Sequence, residues 1–468
     1  MVFSSLIFLF LFLPITVLIY YVSPMKLRNA VLLAVSLIFY AWGEPIYIFI
    51  MIFSTVFDYF NGLLIDKYRY RKTIARAIFI FSMIGSLGIL GFFKYSGFVV
   101  NNINLLLNLH IQAADLPLPV GISFYTFQTM SYIVDVYKGK VPVQRNFISF
   151  GAYVTMFPQL VAGPIVKYDD IAGQLVTRKV TLDRFGEGAE LFIRGLAKKV
   201  LLANNIGLLW TSVKSTPIEE LTVLSAWLGI IAFTLQIYFD FSGYTDMARG
   251  LGKMFGFDFM ENFRYPYISK SVTEFWRRWH ISLGTWFREY VYIPLGGNRL
   301  GLMKQLRNLL VVWFLTGLWH GASWNFIIWG LYFGFFVMIE KLLLLRWLGR
   351  MPASVSHVYT LLVVIIGWVL FEMDTLASAW HFIGVMFGFG GHDFADRQTL
   401  YDLSTNVVFL VVLACCATPL PGKILAYMKE KWRVAGVIVV PMIYVIFMVL
   451  STAYLVNDTY NPFLYFRF

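Results

Sequence analysis

The 468-residue chain is 59% hydrophobic and 18% aromatic, with only 14% charged residues and a mean hydropathy of +0.69; a soluble domain carries about 25% charged residues. That composition excludes an ordinary soluble protein. The net charge of +12 sits in short loops between apolar runs, where topology and anionic headgroups account for it, so nucleic acid is excluded as a partner.

Runs nearly free of charge, each close to the ~20 residues of a spanning helix, begin with residues 2–22, 46–65 and 74–93 and return at 359–371 with its flanks and at 435–456. The hydropathy pattern predicts about ten to twelve transmembrane helices in an all-α polytopic membrane protein, read as one integral domain over 1–468. The first run follows Met-Val-Phe-Ser-Ser, with no basic n-region or small-residue cleavage site, and reads as a retained helix. Lys26 and Arg28 follow it, and Lys67, Arg69, Arg71, Lys72 and Arg76 follow a later span. Basic loops stay in the cytoplasm, which predicts an amino terminus facing the outside of a multi-pass membrane protein.

Four or five spans are expected before residue 115 and two more over 117–165, where Pro158-Gln-Leu-Val-Ala-Gly-Pro164 reads as a broken helix. A polar stretch over 167–184 reads as a loop. Spans with embedded polar residues follow at 191–210 and 224–241. Asp240 and Asp246 stand in apolar sequence; they read as buried anchors for Arg264, Arg277 or Arg278, with an ion pathway as the alternative. The only cysteines, Cys415 and Cys416, are adjacent and do not suit a disulfide with each other.

The segment from 258 to 308 differs from the rest, with eight Lys or Arg against four acidic residues and many Trp and Tyr. A spanning helix would not tolerate that charge, and a soluble loop would not need those aromatics. Interfacial or re-entrant helices around an intramembrane polar cavity satisfy both; a surface helix facing headgroups is the plainer alternative.

Two histidines of the chain's six carry the strongest context: His280 in Glu274-Phe-Trp-Arg-Arg-Trp-His280, and His320 in Gly317-Leu-Trp-His320-Gly321. Continued as one helix, the second motif places Trp313, Thr316, His320 and Trp324 on one face. Gly317 and Gly321 would let a neighbouring backbone approach. Desolvation there favours the neutral imidazole, which can accept a proton from a hydroxyl or thiol. A core histidine bonded to a carbonyl is the competing reading for His320, and His280 is divided between orienting a substrate and filling a polar core position. Glu274 can pair with Arg277 or Arg278, and the remaining arginine is suited to a phosphate or carboxylate. No Cys, Asp or Glu stands at metal-ligand spacing to either histidine, so no metal is expected. No serine-hydrolase elbow and no P-loop occur.

These motifs, with Pro119-Val-Gly-Ile-Ser-Phe-Tyr125, Phe157-Pro-Gln-Leu-Val-Ala-Gly-Pro164, Tyr238-Phe-Asp-Phe-Ser-Gly-Tyr244, Tyr292-Ile-Pro-Leu-Gly-Gly-Asn-Arg299 and Phe463-Leu-Tyr-Phe-Arg-Phe468, make the chain similar to the membrane-bound O-acyltransferase family, in its alginate O-acetyltransferase membrane-subunit branch. The resemblance implies a catalytic segment at about 230–345, His320 as the essential histidine and His280 as the second polar position. It also implies a cytoplasmic funnel leading to a constricted centre, and an extracytoplasmic acetyltransferase partner that passes acetyl groups to a polysaccharide acceptor such as alginate or cellulose. On this reading no cofactor is tightly bound and acetyl-CoA is the acyl donor. Arg277 and Arg278 would contact the donor's phosphates or hold the cavity's shape, while Trp319 and Trp324 would keep water from the thioester. D-alanyl transfer to teichoic acid from a carrier protein, and secondary transport of an acyl or polysaccharide precursor, are the two alternatives.

Overall fold

A computed structural model describes residues 1–113, 116–161, 163–431, 433–457 and 463–464; the motif residues 465–468 lie outside them. Among the described residues the regular structure is helical throughout, with no β-strand. The chain divides into two compact units, Met1–Phe192 with Thr245–Met260, and Ile193–Tyr244 with Glu261–Phe468.

In the first unit an apolar helix over Phe8–Val22, whose last ten residues are α1 (Leu13–Val22), leads to α2 (Arg28–Gly43), α3 (Ile48–Lys67) and α4 (Lys72–Leu107). At 1.5 Å per residue, α4 is roughly 54 Å long. Then come α5 (Ile122–Lys138), α6 (Phe147–Thr155), α7 (Phe157–Leu160) and α8 (Tyr168–Val176). α6 is capped by Asn146, whose side chain accepts from the Ser149 N–H at 3.0 Å. α6 and the short α7 are separated at Met156, and α7 ends at Leu160, inside the Pro158–Pro164 stretch read as a broken helix. The stretch expected to be a polar loop is instead largely helical. α8 occupies its first half, because Lys167 and Asp170 pair at that helix's first turn, and α9 (Leu182–Ala197) begins before it ends. Tyr20 and Tyr21 donate to the carbonyls of Phe255 and Met254 at 2.6 and 2.9 Å, tying the returning segment of this unit to its first helix.

The second unit takes up the chain in α9, passes through a π-helical stretch at Lys198–Asn204 into α10 (Asn205–Ser215), and continues into α11 (Val223–Met254) as far as Tyr244. Two seven-residue helices follow, α12 (Val272–Arg278) and α13 (Ile281–Phe287), then α14 (Leu302–His320) and α15 (Trp324–Ile339). α16 (Leu345–Leu348), α17 (Ala353–Glu372), α18 (Leu376–Met386), α19 (Arg397–Cys416), α20 (Leu420–Lys431) and α21 (Arg433–Asn457) complete it. α14 and α15 form a tight hairpin: a Cβ on Gly317 would strike the Phe326 carbonyl, and one on Gly330 the Trp313 carbonyl. Only glycine permits that approach of two backbones.

Among the described residues eight helices are long and apolar enough to cross a bilayer, and two shorter apolar helices accompany them. The chain is therefore a multi-pass membrane protein. The charged 258–308 segment contributes no candidate span and folds as short helices and turns.

Candidate active site

The site lies within the second unit and starts at a corner. α12 is capped at its start by Ser271, whose hydroxyl accepts from the Glu274 N–H at 3.0 Å. It ends at Arg278, and His280 turns the chain into α13 with a left-handed backbone, φ 46° and ψ 53°. A non-glycine residue held there costs about 1–3 kcal/mol, so its surroundings must impose the conformation. Asn262 supplies much of that constraint. Its carbonyl accepts from the Ile281 N–H at 3.0 Å, and its side-chain oxygen accepts from the Ser282 N–H and hydroxyl, both at 3.0 Å. Two residues on, the Arg264 N–H donates to the Arg278 carbonyl at 2.9 Å.

The start of α12 is held from a different element. Glu340, fully buried just beyond the end of α15, accepts from the N–H groups of Val272 and Thr273 at 2.6 and 2.8 Å and from the Thr273 hydroxyl at 2.6 Å. A carboxylate at a helix N-terminus is favoured twice, by hydrogen bonds and by the helix dipole.

His320 is the last residue of α14 and is buried like His280. The two imidazole rings lie 6.5 Å apart, centroid to centroid, at 61°. Aromatic rings enclose them: Phe241 at 4.9 Å and Trp319 at 5.8 Å from His280, and Trp319, Trp329 and Phe371 at 5.0, 4.8 and 5.5 Å from His320. Trp276 packs on Trp329 and Trp313. The buried indole N–H groups of Trp276 and Trp329 have no acceptor among the described protein atoms. Burial holds the His280 imidazole well below its usual pKa, because the charged form loses its hydration.

The structure thus brings together His280, His320 and Trp319. Arg278 pairs with Glu274, Nη2 to Oε1 at 2.9 Å, and donates to the Arg264 carbonyl, so it braces the corner. Arg277 is exposed. Trp324 departs from its expected place. Gly321 takes an extended backbone that ends α14 directly after His320, so Trp324 does not continue that helix but opens the next one, 54% exposed. The ring against His320 is Trp329, which the sequence offered only as one aromatic in an apolar run. Asp240 does not anchor the expected arginines. Asp240 is buried against the Lys199 ammonium at 2.5 Å and accepts from the Leu464 N–H at 2.9 Å, while Asp246 pairs with Arg249 at 3.5 Å. Lys199 is nearer because the π-helical stretch turns it inward, where it is also buried. Among the described residues no group of three His, Cys, Asp or Glu could hold a metal.

Buried imidazoles enclosed by aromatics in a helical membrane protein suit proton transfer away from bulk water. The membrane-bound O-acyltransferase family model matches residues 141–373, a range that contains both histidines. The chain belongs to the membrane-bound O-acyltransferase family and is an O-acyltransferase. It is 43% identical to the probable alginate O-acetylase AlgI of Azotobacter vinelandii, over 88% of this chain and 84% of that protein. It is 40% identical, over the whole of both chains, to the probable alginate O-acetylase AlgI of Pseudomonas putida. The peptidoglycan O-acetyltransferase of Helicobacter pylori is 33% identical over 84% of this chain and 80% of that protein.

Proposed function

We propose that the protein takes acetyl groups from cytoplasmic acetyl-CoA and carries them across the bacterial inner membrane for O-acetylation of an extracytoplasmic polysaccharide, through a partner acetyltransferase on the outer side. The observation that carries the reading is the pair of buried histidines 6.5 Å apart inside an aromatic enclosure, on a chain similar throughout its length to a probable alginate O-acetylase.

His320 is the general base. Its neutral imidazole accepts the proton of an acceptor hydroxyl as that oxygen attacks the thioester carbonyl. The new C–O bond forms, the C–S bond breaks, and the proton passes to the departing thiolate. His280 positions the acyl group or the acceptor. The indole N–H groups of Trp276 and Trp329 are donors available to the carbonyl oxygen as it gains charge. Trp319 helps exclude water that would hydrolyse the thioester. Exposed Arg277 is suited to the donor's phosphates, whereas Arg278 is already engaged by Glu274.

The test uses purified protein in proteoliposomes with acetyl-labelled acetyl-CoA and a hydroxyl acceptor or the partner protein. Thioester loss and label transfer are expected in the wild type and not in His320→Ala, with both forms equally abundant in the membrane. Equal turnover in the two forms would remove His320 from the chemistry. Absence of turnover in both would remove acetyl-CoA as the donor.

A further inference from the structure

Within the second unit, away from the histidines, α10 with its preceding π-helical stretch, α19 and α21 enclose a groove of about 810 Å³, within the range of small-ligand sites, roughly 300–1,000 Å³. α10 and α19 run antiparallel along it: Ser212 and Asp402 line it together at one end, while Lys198 lies within electrostatic reach of Cys416 at the other. The polar lining residues gather toward one end, apart from Asn205 at the start of α10, whose amide is taken up by the Val200 and Leu201 carbonyls of its own helix. Ser212 is near the end of α10, Asp402 and Asn406 are in the first turns of α19, and Tyr454 is near the end of α21. The deeper walls are apolar, with Leu202, Phe409 and Leu450.

From Leu201 to Ser212 the groove covers about 17 Å of helix at 1.5 Å per residue. That is close to one leaflet, half of a hydrocarbon core about 30 Å thick. A groove one leaflet long, polar where the bilayer meets water and apolar toward its middle, has the shape of a lipid, and Tyr at the polar end is the usual residue of that boundary. Its charge selects among headgroups. Among the described residues Asp402 is the one carboxylate lining it and no Lys or Arg does, and the Asp402 carboxylate accepts from the neutral Gln398 amide at 3.0 Å.

We infer that this groove holds a bilayer lipid whose headgroup carries an ammonium, of the phosphatidylethanolamine kind, with the ammonium on Asp402 and one acyl chain along Leu202, Phe409 and Leu450. An anionic headgroup would meet Asp402 with like charge and no cation among the described lining residues to offset it. The lipid supports α19 and α21, whose candidate spans are only 11% and 22% buried inside the protein.

The experiment reconstitutes the full chain in membranes of equal phosphatidylethanolamine and phosphatidylglycerol, extracts it in mild detergent and counts retained lipids by native mass spectrometry. The wild type is expected to retain about one phosphatidylethanolamine per chain, preferred about fivefold over phosphatidylglycerol, the scale of a partly exposed ion pair. Asp402→Asn should lose the preference while still retaining lipid, and Leu450→Trp should lose retention of both lipids by filling the apolar wall. Unchanged elution and unchanged acetyl-CoA turnover in Asp402→Asn would show that its fold is intact. Equal retention of the two lipids by the wild type, a preference that survives in Asp402→Asn, or a protein partner crosslinking at Tyr454 in place of lipid would each overturn the inference.

Discussion

His280 is subject to two separate demands, one on its imidazole and one on its left-handed backbone. Asparagine tolerates that backbone far better than a β-branched residue does. His280→Asn is therefore expected to reach the membrane at near wild-type level with acetyl transfer reduced at least tenfold, whereas His280→Val should accumulate poorly; quantitative blotting beside the turnover assay separates the two effects. Burial lowers the pKa of His280 in the folded protein. The unfolded chain therefore binds the proton first as pH falls below about 6.5, and this residue's contribution to stability is lost in that direction. Between pH 7.5 and 5 the detergent melting temperature of the wild type should fall more steeply than that of His280→Asn. Parallel slopes would mean that His280 is not held neutral by burial. Trp329→Phe keeps a ring beside His320 and removes only the indole N–H. If that donor meets the carbonyl oxygen, kcat should fall about 100-fold with little change in KM, the scale of one oxyanion donor.

Among the elements, the α14–α15 hairpin carries His320 at one end and Glu340 just past the other, and Glu340 holds the start of α12. One rigid piece thus fixes both the base and the helix that leads to His280. Glu340→Ala would leave two N–H groups without an acceptor, at about 1–3 kcal/mol each. The expected result is a lower melting temperature and lost transfer, with part of the transfer restored in Glu340→Asp, which keeps the carboxylate. Gly317→Leu would push α15 off α14 and should abolish accumulation of the folded protein; wild-type levels would show that the hairpin yields.

Much of this organisation was legible in the sequence. The histidines stood out because ionisable residues are rare in apolar segments, and Gly317 because a small residue beside a buried histidine invites close packing. The fate of Trp324 was not legible, since helical spacing alone did not place the break at Gly321, one residue past His320. Trp329 looked like ordinary core. Glu340 was not singled out, because two of its three donors are backbone N–H groups 67 and 68 residues away, which leave no side-chain signature. Lys199 was missed as the partner of Asp240 for a related reason, as the π-helical register that turns it inward does not show in spacing.

For the molecule as a whole, helix parity gives the topology a second footing. If each of the first three apolar helices crosses once, the loops after α1 and after α3 fall on the same side, and both are the basic ones. In a background lacking Cys415 and Cys416, a cysteine at Tyr70, which is 96% exposed, should react with an impermeant maleimide only after spheroplasts are opened. One at Ile46 should react from outside in intact spheroplasts; the reverse pattern would invert the protein. α4 adds a consequence of a different kind. At roughly 54 Å it outreaches a hydrocarbon core about 30 Å thick even when steeply tilted, so it must emerge into water while its middle stays in lipid. Spin labels stepped along its outer face from Ile80 through Phe92 to Leu106, all exposed, would cross from lipid to water along one continuous rod. The helix is thereby a built-in depth gauge from which the local thickness of the bilayer around the enzyme could be read directly.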